Sequence, residues 1–145
     1  MIVSLALAIQ ALVPPAPPPP PLPRVITPQP LTLPPQDWTN LPTLRLVRAS
    51  PDRPALSDFV RDEVRSGRCN AQTQSATGFS VIVTVALLVT PQGLVRRTLP
   101  RAIGCPSVEQ YAAGLAFSRA MGNTDVGDMN VDGWYKTSMV FTWRG

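Results

Sequence analysis

Hydrophobic and polar positions alternate most regularly from Gly78 to Thr90, "GFSVIVTVALLVT". Phe79, Val81, Val83, Val85, Leu87 and Val89 fall on one side of an extended chain. Ser80, Ile82, Thr84, Ala86, Leu88 and Thr90 fall on the other. Side chains alternate with a period of two in a strand. One side is wholly apolar and the other partly polar, which predicts a central strand with helices covering one face. "TPQG" follows. Pro91 presets a turn and Gly93 accepts a positive φ, so a tight hairpin is expected. "LVRRTLPRAI" returns as the partner strand, and either Leu94/Thr98 or Val95/Leu99 could face the core. Pro100 marks an irregular or unpaired edge position.

Two segments carry a helical period instead. In "SPDRPALSDFVRDEVRSG", Leu56, Phe59, Val60 and Val64 share a face. Ser50 is the expected N-cap, Pro51 the first helical residue and Gly67 the C-terminal stop. Asp58, Asp62, Arg61 and Arg65 make a solvated opposite face. In "PSVEQYAAGLAFSRAMGN", Val108, Tyr111, Ala112 and Leu115 form the apolar stripe. Ser107 and Gln110 suggest a capping box. Ala113, Gly114 and Ala116 permit close approach to a sheet, and Gly122 ends the helix. A last strand, "WYKTSMVFTWRG", places Tyr135, Thr137, Met139, Phe141 and Trp143 on one face, and Trp134, Lys136, Ser138, Val140 and Thr142 on the other. A long aromatic edge is an aggregation hazard unless it is blocked or used. The order α-β-β-α-β predicts an α+β domain: a three-stranded antiparallel sheet with two helices on one face.

The pattern changes abruptly upstream. Met1 to Val13 is uncharged and apolar apart from Ser4 and Gln10. It is too short to span a bilayer and suits the apolar region of a signal peptide, or else a short membrane anchor. Ala6-Leu7-Ala8 offers a cleavage pattern. A basic stretch before it is missing, so a start further upstream is a possible reading. Of the 18 prolines, 15 lie between Pro14 and Pro54, which excludes helix or sheet interior there. Residues 14–49 read as an extended polyproline spacer. P-x-x-P spacing also suits a proline-reading domain, though such readers are not expected outside the cytoplasm. Trp38, Leu41, Leu44 and Leu46 are candidates to pack on the domain as an extended arm. The folded domain is expected over residues 50–145.

Composition narrows the chemistry. The 145 residues carry a net charge of +4, and 12 of the 13 basic residues are arginine. These are scattered and interspersed with acids, so a nucleic-acid groove is not expected. There is no histidine, the commonest general base and metal ligand. Two cysteines cannot build a structural zinc site alone. The loop "NTDVGDMNVDG" clusters Asp125, Asp128, Asn130 and Asp132 but lacks the register and terminal Glu of an EF-hand. No Gly-rich phosphate loop is present. Neither a cofactor nor enzymatic activity is expected.

A proline-rich spacer, the "VALLVTPQGLV" hairpin, "GCPSVEQYAA" opening a helix and a closing "GWYKTSMVFTW" together resemble the C-terminal domain of the TonB family, periplasmic energy transducers of Gram-negative bacteria. The similar stretch runs from about Leu56 to Trp143. The resemblance implies a periplasmic partner-binding module. In the family, a segment of an outer-membrane receptor pairs with the last strand of the sheet, a β-augmentation. Carried to this chain, the partner-binding residues are Trp134, Lys136, Ser138, Val140 and Thr142. The implied partners are an outer-membrane transporter or other envelope protein, with an inner-membrane motor complex as a further possibility. The chain departs from the family in its 13 apolar residues, where full transducers carry a transmembrane helix bearing histidine, and in its short spacer. A soluble envelope protein that forms a homodimer through the same strand is the alternative.

Export also bears on the cysteines. In an oxidising compartment Cys69 and Cys105 read as one disulfide joining two helix ends across the hairpin. Two free thiols are the second reading. A nucleophilic Cys105 at a helix start is the third, but it lacks a histidine base.

Overall fold

The computed structural model describes residues 33–51 and 53–145. The expected leader, Met1 to Val13, and the spacer up to residue 32 lie outside the described residues. Among those described, no helix is long and apolar enough to cross a membrane.

The elements run β1 (Arg45–Leu46), α1 (Leu56–Arg65), β2 (Thr73–Ser75), β3 (Gly78–Val89), β4 (Val95–Pro100), α2 (Pro106–Ala120), β5 (Thr124–Asp125) and β6 (Gly133–Trp143). Among the described residues the fold is α+β, with two helices and antiparallel sheets. The main sheet has four strands, not the expected three, because the short β2 pairs with the start of β3. Its exposed polar sequence, Thr-Gln-Ser, carries no periodic apolar signal. A second, two-stranded sheet joins β1 to β5. Neither strand was expected, since two residues are too short to show a period.

β3 is the centre of the sheet. β6 pairs with it along its whole length, Phe79 opposite Trp143 through Val89 opposite Gly133. β2 and β4 share its other side. Val83, Val85, Leu87 and Val89 are completely buried, and each such side chain contributes about 1.5–3 kcal/mol by leaving water. Val60 of α1 and Val108, Ala112, Ala113, Ala116 and Ala120 of α2 join the same core, with Tyr135, Met139 and Phe141 of β6. Both helices therefore cover the face that carries the odd-numbered residues of β3 and β6. Gly114, expected among the small packing residues, is exposed, and Ala112 and Ala113 make the approach.

The register of β4 follows neither simple expectation. Leu88 faces Arg97, but Val89 faces Val95. Arg96 is the extra residue of a β-bulge, which reverses the alternation. Val95 therefore enters the helix-covered core while Leu99 packs on the opposite face with Ala86, Leu88 and Trp134. Arg96 turns outward to Asp132, 2.8 Å away, and ties down the acidic loop. No group of three or more metal-ligating side chains occurs among the described residues.

Both helix starts differ from expectation. α1 begins at Leu56, not near Pro51. Proline disfavours a helical conformation in the residue before it, so Pro54 holds Arg53 out of the helix. Tight bonds from the Leu56 and Ser57 amides to the carbonyls of Arg53 and Pro54 lead in instead. Its far end closes as expected at Gly67, φ +75°. There the Gly67 amide bonds Val64 and the Arg68 amide bonds Glu63, a Schellman pattern. In α2 the N-cap is Cys105, with no side-chain cap. Glu109, not Gln110, reaches back, and one carboxylate oxygen accepts from the Ile103 and Cys105 amides. Ser107 is diverted to Glu63.

Candidate functional site

The expected site is the outer edge of β6. Strand geometry places backbone groups of alternate residues on alternate sides, so one parity faces β3 and the other faces outward. The Lys136 amide donates to the Pro42 carbonyl at 2.9 Å, and its carbonyl accepts from the Leu44 amide at 2.8 Å. Lys136 is thus of the outward parity, as are Trp134, Ser138, Val140 and Thr142. The backbone of every residue named from the sequence points away from β3.

The five are not equally open. The segment Trp38 to Leu44 lies on the face opposite the helices and then crosses the β6 edge. Trp38 and Leu41 pack on Ala86, Leu88 and Trp134. The Trp38 indole donates to the Pro35 carbonyl at 3.0 Å, and the Arg101 guanidinium stacks 5.4 Å above its ring. Thr43 makes a parallel bridge with Lys136. Leu44 is buried in the main core on the helix side, and the chain continues into β1. The packed unit therefore reaches back past Ser50, the boundary expected from composition. The Lys136 ammonium fastens the crossing, donating to the carbonyls of Trp38 and Thr39 at 3.1 and 2.8 Å. Asp37 accepts from both the hydroxyl and the amide of Thr39. These bonds hold its carboxyl below the usual range, the side-chain bond first.

This arm occupies the outward backbone of Lys136 and buries the Trp134 side chain. Trp134 Nε1 is buried and has no acceptor among the described residues. At the other end, the Thr142 amide donates to the Ser57 hydroxyl of α1 at 3.0 Å. Between these two covers lie Ser138 and Val140. Their outward amides and carbonyls have no partner among the described residues. Val140 is 56% exposed, and so is Ile82, which faces it across the β3–β6 pair. The open stretch of edge is therefore short and flanked by an uncovered apolar pair.

The geometry fits the bridged reading of the two cysteines. Cys69 and Cys105 form a disulfide with Cα atoms 5.0 Å apart, and both are about 1% exposed. A sulfur bonded to sulfur carries no thiolate, so Cys105 is not a nucleophile in this state. Around the bridge, Glu63 joins the same two helix ends. One of its oxygens accepts from Arg68 at 2.6 and 3.0 Å, and the other from Ser107 at 2.6 Å. The Arg68 bonds, then the Ser107 bond, hold its carboxyl below the ordinary range against the opposing effect of burial. The sequence offered no signal for this cluster, since Glu63 and Ser107 are 44 residues apart. Tyr135 is shifted upward, by burial first and by Asp125 second, and its hydroxyl meets the Met129 sulfur.

Comparison with family models, curated proteins and solved structures gives no significant match for this chain.

Proposed function

We propose that the chain is an exported, TonB-like protein-binding module that captures an extended segment of an envelope protein, such as an outer-membrane transporter, by strand addition to β6. The observation that supports this reading is that Ser138 and Val140, between the covers at Lys136 and Thr142, have outward backbone groups with no partner among the described residues. Backbone hydrogen bonds to an added strand provide affinity, and alternate side-chain contacts provide selectivity. The exposed Val140 and Ile82 offer an apolar contact for those side chains. The covers at Lys136 and Thr142 keep the exposed edge short, and a short edge resists indiscriminate pairing. Export accords with the disulfide, which persists in oxidising compartments.

The test is titration of the 15N-labelled chain with peptides taken from outer-membrane transporters. Amide shifts concentrated at residues 137–141 are expected. Binding that leaves these amides unmoved refutes strand addition at this edge.

A further inference from the structure

A cleft of about 450 Å³ lies where the end of the arm meets the far end of α2, and no residue of β6 borders it. Arg48, Arg53 and Arg119 line it, beside the apolar Leu56, Leu115 and Met121. No acid borders the cleft, and no ion pair involves these three arginines, among the described residues. Asp52 is outside the described residues, and one carboxylate cannot match three guanidinium charges. By contrast, Arg61, Arg68 and Arg96 are paired with Asp58, Glu63 and Asp132. Asn123 fastens two of the cleft arginines together. Its side-chain oxygen accepts from the Arg48 amide at 2.9 Å, and its Nδ2 donates to the carbonyls of Arg48 and Arg119 at 3.0 and 3.1 Å. The same bonds favour negative charge nearby. The last carbonyls of a helix carry partial negative charge, which repels anions. Here Asn123 Nδ2 engages the Arg119 carbonyl, and the amides of Met121 and Asn123 engage those of Phe117 and Ala120.

Like charges fastened side by side repel one another, and a bound anion relieves that repulsion. We infer that the cleft between the arm and the end of α2 binds a phosphate group, presented by a soluble phosphomonoester or by a phospholipid headgroup. A guanidinium holds a phosphate through paired N–H donors. A carboxylate has one charge and is satisfied by a single arginine. A phosphomonoester carries nearly two charges on three acceptor oxygens, which suits several guanidiniums at once. The volume lies within the ordinary range of small-ligand sites, about 300–1,000 Å³. Leu56, Leu115 and Met121 offer apolar surface to the organic part of the ligand. This site is separate from the edge of β6 and does not rest on strand addition.

The test titrates the full 15N-labelled chain, disulfide intact, with inorganic phosphate, glycerol 3-phosphate and acetate at constant ionic strength. Both phosphates are expected to give saturating shifts at the amides of Arg48, Arg53, Arg119 and Asn123, with acetate about tenfold weaker. Arg48→Gln/Arg119→Gln should abolish saturation. Arg65→Gln/Arg97→Gln makes the same change of charge outside the cleft and should bind as the parent chain does. Asn123→Ala keeps all three charges but releases their fastening, and should weaken binding severalfold. Arg53→Gln, which disturbs no bond to Asn123, should also weaken it and serves if the double variant fails to fold. Phosphatidylcholine vesicles with and without phosphatidic acid separate the two sources. Sedimentation with the phosphatidic acid vesicles only, reversed by glycerol 3-phosphate, supports a lipid headgroup. Saturation by the free phosphates without sedimentation supports a soluble phosphomonoester. Shifts that never saturate, equal affinity for acetate, or undiminished binding in the folded cleft variants overturns the inference.

Discussion

Removing the Cys69–Cys105 bridge should cost this domain several kcal/mol. The two cysteines are 36 residues apart in sequence. The chain-entropy relation for a loop of that length gives about 3.8 kcal/mol at 25 °C. A domain of about 100 residues is commonly stable by only about 5–15 kcal/mol, so the bridge accounts for a large share. At 4–8 °C per kcal/mol, the midpoint of thermal unfolding should fall by about 15–30 °C. The assay is urea unfolding of the oxidised and the fully reduced chain, with Cys69→Ala/Cys105→Ala as a second reduced form. A competing account is available in the structure, because Glu63 and Ser107 already join the same helix ends. A cycle with Ser107→Ala separates the two. If the bridge acts on the unfolded chain, its effect is nearly the same with and without the Ser107 hydroxyl. A loss below about 1 kcal/mol on reduction would refute the loop-entropy reasoning. So would coupling to Ser107→Ala above about 1 kcal/mol, since contacts in the native state would then carry the effect.

Two further outcomes follow from individual residues. Gly78 has φ +147°, and a Cβ there would overlap the Trp143 carbonyl oxygen. Gly78→Ala should therefore destabilise the domain by about 2–3 kcal/mol, read by thermal unfolding; an unchanged midpoint would contradict the close approach of β3 to β6. Glu63 has a lowered folded-state pKa. Its contribution is complete above its ordinary value of 4.5 and is lost as the pH falls through the folded value. The stability difference between the parent chain and Glu63→Gln should thus narrow below about pH 4.5 in unfolding titrations from pH 7 to 3. A difference independent of pH would show that the carboxylate charge does not matter.

The legible part of the fold was the part with a local period. Alternation in Val81–Val89 and Tyr135–Trp143 announced the two long strands, and the spacing of Val60, Val64, Val108 and Ala112 announced the helices. These patterns exist because each element buries one side, so burial is written into neighbouring residues. The split between the faces of β6 was readable in the same way. The added fourth strand was not, because three exposed polar residues have no face to bury. Nor was the bulge at Arg96, which shows only as two equally plausible registers.

The state of the candidate site was decided at longer range. The sequence by itself determined which residues of β6 share a parity, and therefore named Trp134, Lys136, Ser138, Val140 and Thr142 together. Tertiary structure divided them: the Pro42–Leu44 crossing takes Lys136, Trp38 and Leu41 cover Trp134, and Ser57 takes the Thr142 amide. It also gathered Arg48, Arg53 and Arg119 from the arm, the approach to α1 and the end of α2. Residues as distant as Thr43 and Lys136 have no shared period to reveal their contact. Only the path of the chain over the sheet edge decides which backbone groups remain unpaired and which charges come to border one cleft.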